Sequence, residues 1–244
     1  MPSATDPDAI VDREREIRDR EAGEYDRHRT RDSYHRVVEA ACVFSQLDLR
    51  PEHTVVDAGC GTGTHLEALL DRAARVIGAD HSQASLDIAR ERVPANERER
   101  LTLVAADLRA LPLDDATADR VMCFEVIQHV PTDEHRRQAL RELRRILKPG
   151  GVLVVSAYRW HGHIRRQKEG FFDHGLYRYA FTASEFEELV QSAGFADVLV
   201  GGAVILPALS QRLRVGVETQ RRLAFTPLGR HLSHYVVARG RRPA

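Results

Sequence analysis

The sequence predicts an α/β protein in which a mostly parallel β-sheet is covered by helices on both faces, a doubly wound arrangement. Short runs of valine, isoleucine and leucine alternate with helical segments along the chain, as in "TVVDAG" and "RVIGAD". Such continuously apolar runs are typical of strands that are buried on both faces of a sheet. The length of 244 residues also suits one substantial α/β domain.

Residues 1–31 carry many charges of both signs, and two interpretations of them stay open. Their composition fits a solvated leader with little fixed structure. Alternatively they form a helical lid, in which case Tyr25 and the nearby Tyr34 present flat faces to a ligand below. From Ser33 to Leu47 apolar residues recur at helical spacing, so we expect an amphipathic helix there.

The next segments alternate regularly between the two kinds of element. We expect strands in "TVVDAG", "RVIGAD", "LTLVAAD", "ADRVMCFEVI" and "VLVVSAY". We expect helices in "GTHLEALLDRA", "SQASLDIARERV" and "DEHRRQALRELRRILKPGG", the last of which should end at Pro149 and the two glycines after it. This order predicts a parallel sheet built from strand–helix–strand units.

The last third of the chain differs in character. "TASEFEELVQSAGF" predicts a helix that begins near Thr182 or Ser184 and ends at Gly194. Two further strands are expected in "ADVLVGGAV" and "HYVVARG". Between them lies an arginine-rich stretch, at about residues 206–232, to which the pattern assigns no element.

Composition excludes several classes of function. The 36 basic and 36 acidic side chains give no net charge, which argues against a general polyanion binder but leaves room for a local basic patch. The first residues lack the basic head and apolar core of a signal peptide. The most apolar stretch, Val198 to Leu209, is shorter than the roughly 20 residues of a membrane span. We therefore expect a cytoplasmic protein without a membrane segment.

Glycines 59, 61 and 63 stand between the first expected strand and the first expected helix, in "VVDAGCGTGTHL". Glycine lets the backbone turn sharply and approach a ligand closely, so this context predicts a ligand-binding turn rather than an empty loop. Two ligand classes use such turns, namely dinucleotides and S-adenosylmethionine.

Asp57 favours the second class. Its negative charge would repel a pyrophosphate, which prefers a helix N-terminus without fixed negative charge. The three glycines also alternate, whereas the dinucleotide fingerprint leaves two residues before its last glycine. S-adenosylmethionine has no phosphate and carries an ammonium and a sulfonium, so the sequence favours it.

Two further carboxylates follow later strands. Asp80 closes the second strand, where a carboxylate can accept hydrogen bonds from both ribose hydroxyls, although it would also suit the N-terminus of the next helix. Asp107 closes the third strand and could accept from the adenine amine, with the Leu108 amide facing the ring. Capping is the alternative role for Asp107 as well.

Five segments together resemble the class I S-adenosylmethionine-dependent methyltransferases, and most closely the broad group that includes many small-molecule methyltransferases. They are "VVDAGCGTGTHL", "VIGADHSQASLDIAR", "LVAADLRALPL", "ADRVMCFEVIQHV" and "RELRRILKPGGVLVV". The resemblance covers about residues 50–160 strongly. It implies a Rossmann-like sheet of seven strands whose last strand is antiparallel, in a single domain at residues 32–244.

The resemblance also implies the cofactor site. Asp57 and the glycine loop would hold the methionine part, Asp80 the ribose, and Asp107 with Leu108 the adenine, while the backbone at Phe124 and Glu125 would lie beside the methionine end. The expected cofactor-binding residues are Asp57, Gly59, Cys60, Gly61, Gly63, Asp80, His81, Asp107, Leu108 and Phe124.

Methyl transfer from a sulfonium requires mainly alignment, so an obligatory catalytic residue need not exist. His129, which follows the fourth strand, is the best-placed candidate base, although a structural role is the alternative. Glu125 is a second candidate for orienting the cofactor or the acceptor. Its alternative role is to hold the loop.

The acceptor side is expected at about residues 158–181 and 206–232. Three histidines in the first segment suggest a metal, but the chain lacks cysteine partners and an HExxH-type helix, so no metal is expected. The candidate acceptor-pocket residues are Tyr25, Tyr34, Tyr158, Trp160, His163, Tyr177 and Tyr179.

Arginines concentrate in both acceptor-side segments, which suits either a solvated face or an anionic acceptor. Our leading hypothesis is a methyltransferase that acts on an O, N or C atom of a small molecule. The second is an RNA methyltransferase, because "GLYRYAFTASEFEELVQSAGF" is similar to the tail of tRNA wobble-uridine enzymes. A catalytically idle binding module and an NAD-dependent oxidoreductase are further alternatives.

Overall fold

The structure is a computed structural model that describes residues 6–29, 33–161, 167–172 and 175–244. The strands are β1 (Thr54–Ala58), β2 (Arg75–Asp80), β3 (Leu101–Ala105), β4 (Ala118–Phe124), β5 (Leu147–Tyr158), β6 (Glu169–Phe171), β7 (Tyr177–Tyr179), β8 (Ala196–Ile205) and β9 (Ser233–Arg241). The α-helices are α1 (Pro7–Arg29), α2 (Ser33–Leu47), α3 (Leu66–Leu70), α4 (Gln83–Arg92), α5 (Asp133–Ile146), α6 (Ala183–Ser192), α7 (Pro207–Arg212), α8 (Val217–Leu223) and α9 (Pro227–Leu232).

Seven strands form one sheet in the order β3-β2-β1-β4-β5-β9-β8. Strands β1 to β5 pair in parallel, and β9 runs antiparallel to both of its neighbours. The predicted fold class is therefore confirmed. The strand order reverses between β1 and β4, and in open α/β sheets ligands bind beside the carboxyl ends of the strands at such a point.

Continuous apolar runs form these strands because side chains from both faces are buried. In β1, Val55 and Val56 point to opposite faces, and neither is exposed to solvent. Val55 belongs to a core cluster that includes Leu66 of α3, and Val56 belongs to a second cluster that includes Leu140 of α5. The sheet thus separates two cores, each covered by helices.

The helix that was expected to end at Pro149 ends earlier, so that prediction is wrong in its boundary. Helix α5 stops at Ile146, and Pro149 lies inside β5. The reason is tertiary: the Gly150 amide donates to the Arg242 carbonyl, and the Arg242 amide donates to the Gly151 carbonyl, each at 2.9 Å. These two bonds hold the segment extended beside the end of β9.

Helix α6 begins and ends as its sequence indicates. The Thr182 hydroxyl accepts from the Glu185 amide, and the Glu185 carboxylate accepts from the Thr182 amide, which forms a capping box. Gly194 follows the helix with φ +88°, a conformation that favours glycine.

Most of the charged N-terminal segment is helical, and α1 lies across the carboxyl edge of the sheet. Asp19 accepts hydrogen bonds from the Ser82 hydroxyl (2.6 Å) and the Ala84 amide (3.3 Å) at the start of α4. Asp8 forms an ion pair with Arg109 at 2.6 Å. This packing favours the lid interpretation, which stays a prediction.

The arginine-rich stretch contains three short helices that were not predicted. Helices α8 and α9 pack against β8, and α8 also packs against α2. Several of its arginines are engaged, since Arg221 and Arg222 pair with Glu218 and Arg230 pairs with Glu187. Among the described residues, no helix combines the length and apolarity that a membrane crossing requires.

A candidate ligand-binding site at the carboxyl edge of the sheet

A cavity of about 390 Å³ opens at the carboxyl ends of β1, β2, β4 and β5. Eight of the ten expected cofactor residues line it. They are Asp57, Gly59, Cys60, Gly61, Asp80, His81, Leu108 and Phe124. The sheet brings these residues together because neighbouring parallel strands end at the same edge, although long segments of sequence separate them.

The glycine loop between β1 and α3 needs glycine for two different reasons. Gly59 has φ +85°, and a Cβ there would lie 2.2 Å from the Cγ2 of Val126, so a side chain would collide. Gly61 has φ +54° and no atom within 4 Å of a Cβ position, because it faces the cavity. Gly63 does not line the cavity, and a Cβ there would lie 2.8 Å from Ala89 of α4.

Asp80 connects the glycine loop to the end of β2. Its Oδ2 accepts from the Gly61 amide at 2.8 Å, and its Oδ1 accepts from the Ser82 amide at 2.9 Å. Each carboxylate oxygen keeps a further lone pair, and Asp80 lines the cavity. The carboxylate can therefore accept hydrogen bonds from a ligand while it holds both backbones.

Asp57 is a buried carboxylate with an unsatisfied oxygen. Its side chain is 1% exposed, and its Oδ2 has no hydrogen-bond partner. Burial, together with the negative charge of Asp80, raises the pKa of Asp57 to about 7. A ligand ammonium would satisfy this oxygen and restore the ionised form, so the site fits the amino acid end of S-adenosylmethionine.

The two residues expected at the adenine lie in different places. Leu108 lines the cavity. Asp107 does not, and its carboxylate is engaged by Arg109, whose Nη2 donates to Oδ2 at 2.7 Å and whose backbone amide donates to Oδ1 at 2.8 Å. The adenine role of Asp107 stays a prediction, and in the structure this carboxylate shapes the turn after β3.

His129 lies in the cavity as a neutral imidazole. Its Nδ1 lies 2.7 Å from the Tyr177 carbonyl, which can only accept, so the proton is on Nδ1. Its Nε2 lies 3.3 Å from the Gln128 Nε2 and 3.5 Å from the Arg18 Nη2. Burial, reinforced by the positive charge of Arg18, lowers the pKa of His129 well below its ordinary value.

Glu125 also lines the cavity, directly after β4. Its φ of +57° is in the left-handed region, which is uncommon for a residue other than glycine. The Ser156 hydroxyl accepts from its amide at 3.2 Å. Such backbone strain is held by the surrounding structure, and it keeps the turn at Glu125 against the cavity.

Helix α1 contributes lining residues that the sequence analysis missed. The side chain of Glu14 is buried, and its oxygens lie 3.2 Å from the Arg18 Nη2, the His129 Nδ1 and the Tyr177 amide. Burial raises the pKa of Glu14 to about 7. No local pattern distinguishes Glu14 from the other acids of this charged helix, which explains why it was missed.

Of the expected acceptor-pocket residues, Tyr158 lines the cavity. The rings of three others are engaged elsewhere: Tyr34 donates to the Val215 carbonyl, Tyr177 donates to Glu169, and Tyr179 packs on Arg136. Trp160 does not line the cavity, and its backbone amide donates to the Phe181 carbonyl at 2.8 Å. Their role as pocket residues therefore has no support from the cavity. His163 and the side chain of Tyr25 lie outside the described part of the chain.

The first acceptor-side segment reaches the cavity and the second does not. Phe172, Leu176 and Arg178 line it together with Tyr158, whereas no residue of 206–232 does. Tyr235 of β9 and Arg36 of α2 complete this end. Among the described residues, no group of three or more histidine, cysteine or acidic side chains is arranged to hold a metal ion.

Comparison with known proteins agrees with this geometry. Residues 56–155 match the family model described as a methyltransferase domain. The chain is 37% identical over 114 residues to demethylmenaquinone methyltransferase of Shouchella clausii. It is 32% identical over 117 residues to the tRNA (carboxymethyluridine(34)-5-O)-methyltransferase ALKBH8 of Mus musculus.

These matches cover 46% and 48% of this chain, and 47% and 16% of the two relatives. The chain therefore spans less than half the length of either. Among solved structures, it is similar to a chain in the complex between the Haloferax volcanii methyltransferase activator Trm112 and a methyltransferase. The TM-score is 0.65 and the identity 22%, and the match covers 93% of this chain and 98% of the other. This likeness shows the fold.

Replacing Asp80 with alanine should weaken binding of S-adenosylhomocysteine by about 10- to 100-fold, because hydrogen bonds to a charged group contribute about 1.5–3 kcal/mol. Isothermal titration calorimetry would measure it, with the exposed Asp114→Ala as the matched control. Unchanged affinity in Asp80→Ala would contradict the ribose assignment.

The affinity for S-adenosylhomocysteine should also depend on pH through Asp57. Its folded pKa of about 7 means that the unliganded fold favours the protonated form. The preference for protonated Asp57 contributes to the stability of the unliganded fold. This contribution is fully present below the pKa that Asp57 has in the unfolded chain, and it is lost as pH rises through the folded pKa of about 7. Binding an ammonium requires the ionised form, so affinity should fall about tenfold for each pH unit below 7.

Calorimetry in buffers of different ionisation enthalpy would detect the proton released on binding near pH 6. Asp57→Asn should bind weakly and without this pH dependence. Glu14→Gln is the matched control, since the Glu14 carboxyl titrates in the same range. If Glu14→Gln abolished the pH dependence and Asp57→Asn retained it, the assignment to Asp57 would be wrong.

Proposed function

Because the chain contains a class I S-adenosylmethionine-dependent methyltransferase domain, we propose that it transfers a methyl group to an O, N or C atom of a small molecule. The observation that carries this proposal is the cavity. It joins the expected cofactor residues on β1 and β2 to a second end beside β5, and α1 covers it with Glu14, Arg18 and Ala22. An acceptor bound under α1 must be small.

S-adenosylmethionine supplies a methyl group that is already activated by its sulfonium. The chain therefore needs mainly to align the acceptor and to exclude water, and orientation of this kind is worth roughly 7–11 kcal/mol. Asp57 would hold the ammonium, Asp80 would accept hydrogen bonds from the ribose, and the backbone of the glycine loop would lie against the ligand between them. Glu125 fixes the turn that separates the two ends of the cavity.

His129 is proposed to accept a hydrogen bond or a proton from the acceptor through Nε2. Its Nδ1 proton is held by the Tyr177 carbonyl, so Nε2 carries the lone pair. In the unliganded site that lone pair accepts from the amide of Gln128 at 3.3 Å and lies 3.5 Å from Arg18, and the acceptor would have to replace these contacts. The lowered pKa keeps the imidazole neutral at physiological pH, but it also makes His129 a weak base. This chemistry suits an acceptor that loses its proton readily.

The main alternative is RNA methylation, which the similarity to a tRNA methyltransferase favours. Two observations argue against it: α1 covers the cavity, and the arginine-rich residues 206–232 do not line it. A module that binds no ligand is disfavoured by the unsatisfied Oδ2 of Asp57. Burying this oxygen is costly unless a ligand donates a hydrogen bond to it.

A transfer assay tests the proposal. Methyl-labelled S-adenosylmethionine and the protein are incubated with a lysate separated into RNA and small-molecule fractions. We expect label in the small-molecule fraction, and Asp57→Asn should abolish it. Label in RNA that decreases steeply with added salt would instead support the RNA alternative.

Once an acceptor is identified, His129→Asn should lower kcat by about 10²- to 10⁴-fold if His129 acts as the base, with a smaller change in KM. Gln128→Ala is a suitable comparison, because Gln128 contacts the same ring nitrogen. Equal turnover in the wild type and His129→Asn would assign His129 a structural role.

A further inference from the structure

Arg178 is a cation held rigidly at the wall of the cavity. It belongs to β7, and its guanidinium lies between two aromatic rings. The guanidinium carbon is 4.6 Å from the centroid of Tyr158 and 4.1 Å from that of Phe172. All three residues line the cavity. Stacking on two rings fixes the plane of the guanidinium and leaves its edge to contact a ligand.

Within the described part of the chain, no side chain or carbonyl accepts a hydrogen bond from the guanidinium of Arg178. Its Nε is buried without a partner, and no carboxylate of the described residues forms an ion pair with it. Arg18, another arginine that lines the cavity, differs, since it pairs with Glu14 at 3.2 Å. A buried donor without a hydrogen bond is costly, and none of the described carboxylates forms an ion pair with Arg178, so this partly buried guanidinium can bind an anionic ligand.

The position of Arg178 separates it from the expected cofactor end. It stacks on Tyr158 at the end of β5, whereas Asp57 and Asp80 belong to β1 and β2. In the order β2-β1-β4-β5, β5 lies two strands from β1 and three from β2. At about 4.8 Å per strand, these separations are roughly 10 and 14 Å. Arg178 therefore lies where the acceptor is expected.

We propose that Arg178 binds an oxyanion of the methyl acceptor, either a carboxylate or a phosphate, so that the substrate is an anionic small molecule. This inference rests on the proposed function and identifies the class of its substrate. The planar guanidinium matches the geometry of two oxygens on one carbon or phosphorus. Tyr235, whose ring centroid is 5.2 Å from that of Tyr158, provides an apolar surface beside it for the rest of the molecule.

The test uses the full chain saturated with S-adenosylhomocysteine, and three probes of similar shape: benzoate, phenyl phosphate and the neutral benzamide. Calorimetry should show that the wild type binds at least one oxyanion about tenfold or more tightly than benzamide, as expected for a charge-assisted hydrogen bond. Whether benzoate or phenyl phosphate binds better distinguishes a carboxylate acceptor from a phosphorylated one.

Arg178→Gln should abolish this preference, and Arg178→Lys should retain part of it through its charge. Arg212→Gln is the matched control, since Arg212 is exposed on α7 and does not line the cavity, and it should leave the preference unchanged. Thermal unfolding and the affinity for S-adenosylhomocysteine should stay the same in Arg178→Gln, which excludes a general defect in folding.

Three results would overturn the inference. If the wild type binds S-adenosylhomocysteine but shows no preference for an oxyanion, the inference is wrong and the proposed function survives. If Arg178→Gln weakens S-adenosylhomocysteine but not 5′-methylthioadenosine, which lacks the amino acid part, Arg178 binds the cofactor's own carboxylate. If the wild type does not bind S-adenosylhomocysteine, the inference and the proposed function both fail.

Discussion

The hydrogen bond between the Gly61 amide and the Asp80 carboxylate is the interaction on which the site depends. It fastens the glycine loop after β1 to the end of β2, and the same carboxylate also receives the Ser82 amide at the start of α4. One side chain thereby orders two loops that belong to neighbouring strands. The parallel pairing of β1 with β2 makes this possible, because it brings both carboxyl ends to one edge.

The site places two carboxylates at one end and a ring-stacked arginine at the other. Asp57 and Asp80 meet at the first end, where burial and mutual repulsion keep Asp57 partly protonated until a cation arrives. Arg178 stands at the other end between two aromatic rings. A cavity with this polarity would orient a cationic donor and an anionic acceptor toward each other, and the neutral His129 lies within it.

Helix α1 covers the cavity and places one of its many acidic side chains, Glu14, in the cavity lining. Most of its charges are exposed, but Glu14 is buried against His129 and Tyr177. Asp8 and Asp19 attach the helix at two further points, on Arg109 and on the start of α4. The helix is thus held by polar contacts with loops of the sheet edge, together with buried side chains such as Ile17.

The sequence by itself determined the sheet and most of the residues that meet at one end of the cavity, because both depend on local patterns: apolar runs for strands, alternating glycines for a turn, and carboxylates at the ends of β1 and β2. Only the tertiary structure decided the acceptor end. Helix α1 and the β6–β7 hairpin are distant in sequence from the glycine loop, and whether a charged side chain such as Glu14 or Arg178 faces solvent or the cavity depends on packing between them. Packing also decides which tyrosines reach the cavity. Tyr158 lines it, whereas the ring of Tyr177 donates to Glu169 and the ring of Tyr179 packs on Arg136.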